Sequence, residues 1–161
     1  RLFNKKLGGG AILDLGCYPS SMSILIASLK SDFKKIQVKD KKLDFYNTGI
    51  DINSFATLHF DNNFVSYIGT SFQNNLGKKT IIKGEDGTII IEDSWHGEPS
   101  KILVEGKYNE VFNINSYKSI YSYEIENFSN NILQNNFDVK YPGMSFEETF
   151  LNVKIIDEWL N

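Results

Sequence analysis

Between Gly8 and Pro19 the chain reads Gly8-Gly9-Gly10-Ala11-Ile12-Leu13-Asp14-Leu15-Gly16-Cys17-Tyr18-Pro19. Three consecutive glycines make an entry that tolerates unusual dihedrals and close backbone approach. Apolar residues then recur at helical spacing, at Ile12, Leu15, Met22, Leu25, Ile26 and Leu29, which predicts a helical segment. Pro19 cannot donate to the carbonyl of Leu15, so a kink or break is expected there. Asp14 and Tyr18 are four positions apart. On a helix that spacing puts a carboxylate and a phenol on one face, with Cβ atoms about 5–6 Å apart. The same spacing suits an acid favoured by the helix dipole beside a half-buried core tyrosine. Spacing alone leaves both readings open.

Downstream of this segment the periodicity changes to that of strands. Residues 33–39 form a short alternating run. In residues 51–60, Ile52, Ala56, Leu58 and Phe60 point one way, and Asn53, Thr57 and His59 the other. Asp61-Asn62-Asn63 supplies turn chemistry before a partner strand over 64–71. A second hairpin is expected from 79–83 and 88–92 around Gly84 and Gly87, and a third from 101–105 and 110–114 around Gly106. The period then returns to about 3.6. Tyr121, Ile125, Phe128 and Ile132 line one helix face. A last helix opens with a Ser145 to Glu148 capping box and carries the stripe Phe146, Phe150, Val153 and Ile156, with Trp159 close by. One helix, about seven strands in mostly hairpin connections and two helices predict an α+β fold: an open, mostly antiparallel mixed sheet with helices packed on one face.

The chain has 161 residues, 41% of them hydrophobic, which suits one compact domain and excludes disorder. Its net charge of −3 argues against phosphate-driven nucleic-acid binding and against an anionic membrane surface. Runs of consecutive apolar residues fall short of the roughly 20 that a bilayer span needs. Cys17 is the only cysteine, so no intrachain disulfide forms; with no signal-peptide pattern after Arg1, a cytoplasmic location is expected. A first residue of Arg1 rather than Met is expected of a fragment, a processed product or an excised domain. Gly8–Gly10 do not follow a predicted strand and lack the G-x-G-x-x-G spacing, so no nucleotide loop is expected. One cysteine and two histidines, His59 and His96, make a transition-metal site unexpected. Lys5 and Lys6 read as solvated charges, Cys17 as a small buried apolar residue, and Trp95 with His96 as loop packing.

The Gly8–Pro19 segment resembles the one that opens the C-terminal domain of the Gfo/Idh/MocA oxidoreductases. The hairpin of 51–60 with 64–72, the hairpin of 79–92, the helix around Tyr123 to Phe128 and the helix of Ser145 to Leu160 resemble later parts of that domain, in the same order. The resemblance implies that residues 1–161 are a single C-terminal substrate-binding and oligomerisation domain of an NAD(P)-dependent enzyme. The N-terminal Rossmann domain, absent from this chain, would carry NAD or NADP and a catalytic lysine; no metal is implied. Asp14 and Tyr18 match the family's Asp-x-x-x-Tyr pair, which implies catalytic roles for both. A free phenol ionises only near pH ~10, and a carboxylate beside a phenol makes ionisation harder still. Asp14 is therefore expected to orient the substrate or bind its hydroxyl, while Tyr18 exchanges a proton with the substrate oxygen and the missing lysine supplies the positive charge that lowers the phenol's pKa. Expected substrates are CH–OH groups of a sugar, polyol or diol, and the isolated chain is expected not to turn over. A homo-oligomer through the open sheet face is expected, with no nucleic-acid or membrane partner. The alternative is a non-catalytic oligomerisation or ligand-binding module that keeps the fold.

Overall fold

A computed structural model describes residues 1–139 and 141–161. A short 3₁₀ turn at Lys5–Leu7 leads into helices α1 (Ala11–Leu15) and α2 (Cys17–Lys30). Seven strands follow: β1 (Ile36–Phe45), β2 (Asp51–Phe60), β3 (Val65–Ser71), β4 (Thr80–Lys83), β5 (Gly87–Ile91), β6 (Ser100–Gly106) and β7 (Glu110–Ile114). Helices α3 (Ile120–Leu133) and α4 (Phe146–Leu160) complete the chain. The fold is α+β, as expected. The ladders form two open antiparallel sheets, β1-β2-β3 and β4-β5-β6-β7. Every strand pair among the described residues is antiparallel, so the mixed component of the expectation is not seen there. Two compact units result, residues 1–76 with 144–161, and residues 77–143.

In the first unit, β2 is the central strand. Ile52, Ser54, Ala56, Leu58 and Phe60 are all buried on one face. Side chains alternate across a strand, so this face meets α1, α2 and α4 while Phe55 turns to the opposite side. The core joins Ile12 of α1, Ile24 and Ala27 of α2, Ala56, Leu58 and Phe60 of β2, Ile68 of β3, and Ile155 and Trp159 of α4. Full burial of Leu58 alone contributes about 2 kcal/mol of transfer free energy. Strand β1 runs longer than its apolar alternation suggested. It carries a bulge between Lys39 and Lys42, where Asp40 adopts a φ of 49°. Beyond that bulge only Leu43 packs against the core, among exposed Lys41, Lys42, Asp44 and Phe45, which hid this part of β1 from a reading of hydrophobicity.

Helix α4 begins with the expected capping box, Ser145 accepting from the Glu148 N–H and Glu148 from the Ser145 N–H. Its buried face differs from the expected stripe. Phe146, Phe150 and Val153 are exposed, and Asn152, Ile155 and Trp159 are buried instead. The helix has two apolar stripes, and the one that holds the indole turns inward.

By length and composition the Lys5–Lys30 stretch is a candidate membrane span, although no single apolar run is long enough. It folds as separate helical pieces broken at Gly8–Gly10 and Gly16, and Ile12, Ile24 and Ala27 belong to the core.

In the second unit the four strands follow chain order in hairpins. The 79–83, 88–92, 101–105 and 110–114 expectations match β4 to β7 within two residues at each boundary. The β4–β5 turn closes with the Gly84 N–H donating to the Gly87 carbonyl at 2.8 Å. Helix α3 has the expected apolar line of Tyr121, Ile125, Phe128 and Ile132, yet no residue of α3 is buried.

Candidate functional site

The helical run is interrupted at Gly16, between α1 and α2, and not at Pro19 itself. Pro19 stands in the first turn of α2, where its missing N–H would have had no partner other than the Leu15 carbonyl. Gly16 bridges the break with helical dihedrals, φ −64° and ψ −24°. Its N–H donates to the Ile12 carbonyl at 2.8 Å, and its own carbonyl accepts from the Ser20 N–H at 3.2 Å. The helical path therefore continues from Asp14 at the end of α1 to Tyr18 at the start of α2, and the two stand on successive turns. The Asp14 side chain is 25% exposed and accepts from Arg1 Nη2 at 2.8 Å. Tyr18 is 57% exposed, and among the described residues its hydroxyl has no hydrogen-bond partner. An exposed phenol and a partly exposed carboxylate on adjacent turns can bind a hydroxylated ligand and pass it a proton.

Buried polar groups hold both helices from behind. Asn152 reaches across from α4 and donates through Nδ2 to the Cys17 carbonyl at 3.1 Å. Its Oδ1 meets Ser20 Oγ, which also lies 2.7 Å from the Gly16 carbonyl and 3.3 Å from that of Cys17. The start of α1 has no capping side chain of its own, because its N-cap is Gly10. Asp51 of β2 takes that role, with Oδ2 accepting from the Ile12 N–H at 2.8 Å and from Ser54 Oγ at 2.9 Å. Neither Asn152 nor Asp51 was picked out in the sequence. Polar residues inside otherwise apolar elements, Asp51 at the head of a buried strand and Asn152 between Leu151 and Val153, were the available signals.

The glycine run does not fit a dinucleotide. The Gly9 and Gly10 N–H groups already donate to the carbonyls of Asn4 and Leu2, both at 3.0 Å. Gly10, at φ +128°, lies so close to Asp51 that a Cβ there would stand 2.3 Å from Oδ1. A phosphate would meet spent donors and a carboxylate, the reverse of an anion cradle.

Lys5 and Lys6 are exposed. Cys17 is half-buried, and burial pushes its thiol above the ordinary value. In the second unit, Asp93 gathers its own loop. It accepts from His96 Nδ1 at 2.9 Å, from the Trp95 N–H at 3.1 Å and from Lys78 Nζ at 3.2 Å. The His96 bond, more than the Trp95 and Lys78 ones, holds the Asp93 carboxyl well below the usual range. A shallow cleft of about 340 Å³ adjoins it, lined in part by Ser94, Ser100, Lys101 and Tyr123. No cluster of three or more metal-ligating side chains occurs among the described residues.

Residues 1–90, more than half of the chain, match the model of the GFO/IDH/MocA C-terminal domain. The chain belongs to the GFO/IDH/MocA family. Among its relatives, trans-1,2-dihydrobenzene-1,2-diol dehydrogenase of Xenopus tropicalis is 28% identical over 108 residues, 66% of this chain and 31% of that protein. The Danio rerio protein of the same name is 30% identical over 107 residues, 66% of this chain and 30% of that protein. The chain thus spans about a third of the length of these relatives. In fold it is similar to KijD10, a 3-ketoreductase from Actinomadura kijaniata solved with NADP and TDP-benzene. The TM-score is 0.78 at 15% identity, over 97% of this chain and 46% of that one. It is also similar to an aldose-aldose oxidoreductase from Caulobacter crescentus complexed with glycerol, with a TM-score of 0.72 at 13% identity, over 98% of this chain and 47% of that one. As a GFO/IDH/MocA domain, this chain has the antiparallel α+β architecture of those neighbours.

Proposed function

We propose that residues 1–161 act as the C-terminal, substrate-side half of an NAD(P)-dependent oxidoreductase that interconverts CH–OH and carbonyl groups of a sugar, polyol or diol. The observation that carries this reading is the pair of exposed Tyr18 and partly exposed Asp14, set across Gly16 and held from behind by buried polar groups. The relatives named as diol dehydrogenases, and the neighbours named as a 3-ketoreductase and an aldose-aldose oxidoreductase, support the substrate class. Removing hydride from a carbinol carbon leaves an oxygen that must give up its proton. Tyr18 exchanges that proton with the substrate oxygen, and Asp14 accepts a hydrogen bond from a neighbouring substrate hydroxyl. The hydride acceptor, NAD or NADP, would be held by an N-terminal dinucleotide-binding domain, since the glycine run here does not fit it. The isolated chain would then be inactive.

The test is turnover by the intact protein with NAD and NADP against a panel of sugars, polyols and diols, followed by Tyr18→Phe. Loss of a positioned proton-transfer group should lower kcat at least about tenfold. Unchanged turnover would remove Tyr18 from the mechanism. The second reading, a non-catalytic oligomerisation module, is favoured by the uncovered sheet face of Phe55, Val65 and Tyr67, the last 84% exposed. The same face supports a homo-oligomer as part of the first reading. Failure of every substrate with a dimer lost on Tyr67→Lys would favour the module. A cytoplasmic location is proposed from the single, unpaired Cys17.

A further inference from the structure

Helix α1 has five residues. A helix that short does not hold its own register in water, so its ends decide where its side chains stand. At its N-terminus the usual capping side chain is replaced by glycine, and the accepting oxygen comes from β2 instead. The Ile12 N–H that Asp51 accepts is the second in the helix, where an ordinary N-cap side chain bonds. Asp51 is 1% exposed, so this hydrogen bond is not exchanged for water. Its other oxygen, Oδ1, has no hydrogen-bond partner among the described residues and rests against Gly10. The carboxylate is thus wedged between the Ile12 N–H on one side and the Gly10 backbone on the other. The Gly10 carbonyl in turn accepts from the Asp14 N–H at 3.1 Å. One helical turn links the residue that Asp51 fixes to the residue that faces the ligand.

We infer that Asp51 is a positioning residue for Asp14: from inside β2 its carboxylate fixes the start of α1 and so the place of the Asp14 side chain. This rests on the function proposed above. A merely structural role for Asp51 is the competing account. A buried acid can serve stability alone, and its loss then lowers activity whether or not Asp14 is intact. A positioning role makes the two residues act as one unit, whose effects on kcat do not add.

The experiment is a double-mutant cycle in the intact oxidoreductase. It uses Asp14→Asn, Asp51→Ala and their combination, with Asp51→Asn as the conservative variant, on the fastest substrate of the panel. Asp51→Asn keeps an oxygen for the Ile12 N–H and Ser54. A misplaced catalytic group costs up to about a hundredfold in rate. Asp51→Ala should therefore lower kcat about tenfold in the wild-type background and less than about twofold in Asp14→Asn, with Asp51→Asn within about threefold of wild type. Equal losses in both backgrounds would overturn the inference. If Asp51→Ala fails to fold, Asp51→Ser, which keeps a small polar group but cannot span to Ile12, takes its place in the cycle.

Amide hydrogen exchange supplies a readout independent of turnover. The Asp14 amide should exchange at least about tenfold faster in the Asp51 variant, with the Ser31 amide at the end of α2 unchanged. An unchanged Asp14 amide refutes positioning whatever the kinetics. If Asp14→Asn itself leaves kcat unaltered, the functional reading fails, and exchange alone decides whether Asp51 holds α1.

Discussion

Replacing Asn152 tests whether the junction between α1 and α2 is held from α4. The amide donates to the Cys17 carbonyl at 3.1 Å and meets Ser20 Oγ, and Asn152 is 6% exposed. Asn152→Ala removes both bonds, each worth about 1 kcal/mol net. Ser20 Oγ keeps the Gly16 carbonyl at 2.7 Å, and Cys17 lies within α2, whose ladder serves its carbonyl, so the expected loss stays near 2 kcal/mol. Asn152→Asp is the sharper perturbation. It preserves shape but aims a carboxylate oxygen at the Cys17 carbonyl oxygen, where the amide had placed a donor. A buried charge without a partner costs about 3–5 kcal/mol. At neutral pH the aspartate variant should therefore be less stable than the alanine variant.

The sign then follows from linkage. The introduced carboxyl has its folded pKa raised above the unfolded value of about 3.9, by about two units for a 3 kcal/mol penalty. The stabilising protonated form, able to donate to the Cys17 carbonyl, is fully present below the unfolded value and is lost as pH rises through the raised one. Acidification from about pH 7 to about pH 4.5 should thus recover most of the loss in Asn152→Asp and leave Asn152→Ala parallel to wild type. Urea unfolding followed by the fluorescence of buried Trp159, in a Trp95→Phe background, isolates the first unit. An aspartate variant as stable as wild type at neutral pH, or an alanine variant losing under about 0.5 kcal/mol, refutes the clamp.

Three further outcomes are expected. Ser145→Ala should cost about 1 kcal/mol by removing the α4 cap, read from the same urea curves. The loop after β5 should keep its Asp93 contribution above the ordinary carboxylate pKa of about 3.9 and lose it progressively below, because the folded value is lowered chiefly by the His96 bond. Trp95 fluorescence in a Trp159→Phe background should show this acid step, and Asp93→Asn should abolish it. Cys17, its thiol raised by burial, should alkylate more slowly at neutral pH than a free cysteine. Thiol titration with and without urea measures the ratio.

The strands were legible because their alternation and turn residues agree. Ile52 to Phe60, then Asp61-Asn62-Asn63, give register and turn together, and the ladder pairs Leu58 with Ser66 and Ala56 with Ile68. An interruption before Pro19 was legible because its missing donor leaves the Leu15 carbonyl without its helical partner, and it falls at Gly16. The buried face of α4 was not, since Phe146, Phe150 and Val153 have the same period as Ile155 and Trp159, and only packing chooses between two apolar stripes. The exposure of α3 was hidden for the same reason: an amphipathic pattern says which side is apolar, not whether anything lies against it. For the site, the Asp14 and Tyr18 spacing survives the helix break because Gly16 stays helical. Their supports, Asp51 and Asn152, come from 37 positions after Asp14 and 134 after Tyr18. No local pattern links residues so far apart in the chain.

The first unit is assembled from both ends of the sequence, with residues 77–143 lying between its two parts. This sets an order for biosynthesis. Asp14 and Tyr18 leave the ribosome well before Asn152, Ile155 and Trp159. The nascent chain can close the hairpins of the second unit while the first still exposes the apolar face of β2, which only α4 completes. A transcript truncated after residue 145 would encode both candidate catalytic side chains and neither the clamp nor the indole that seats them. Its product should be a substrate for quality control rather than a weakened enzyme.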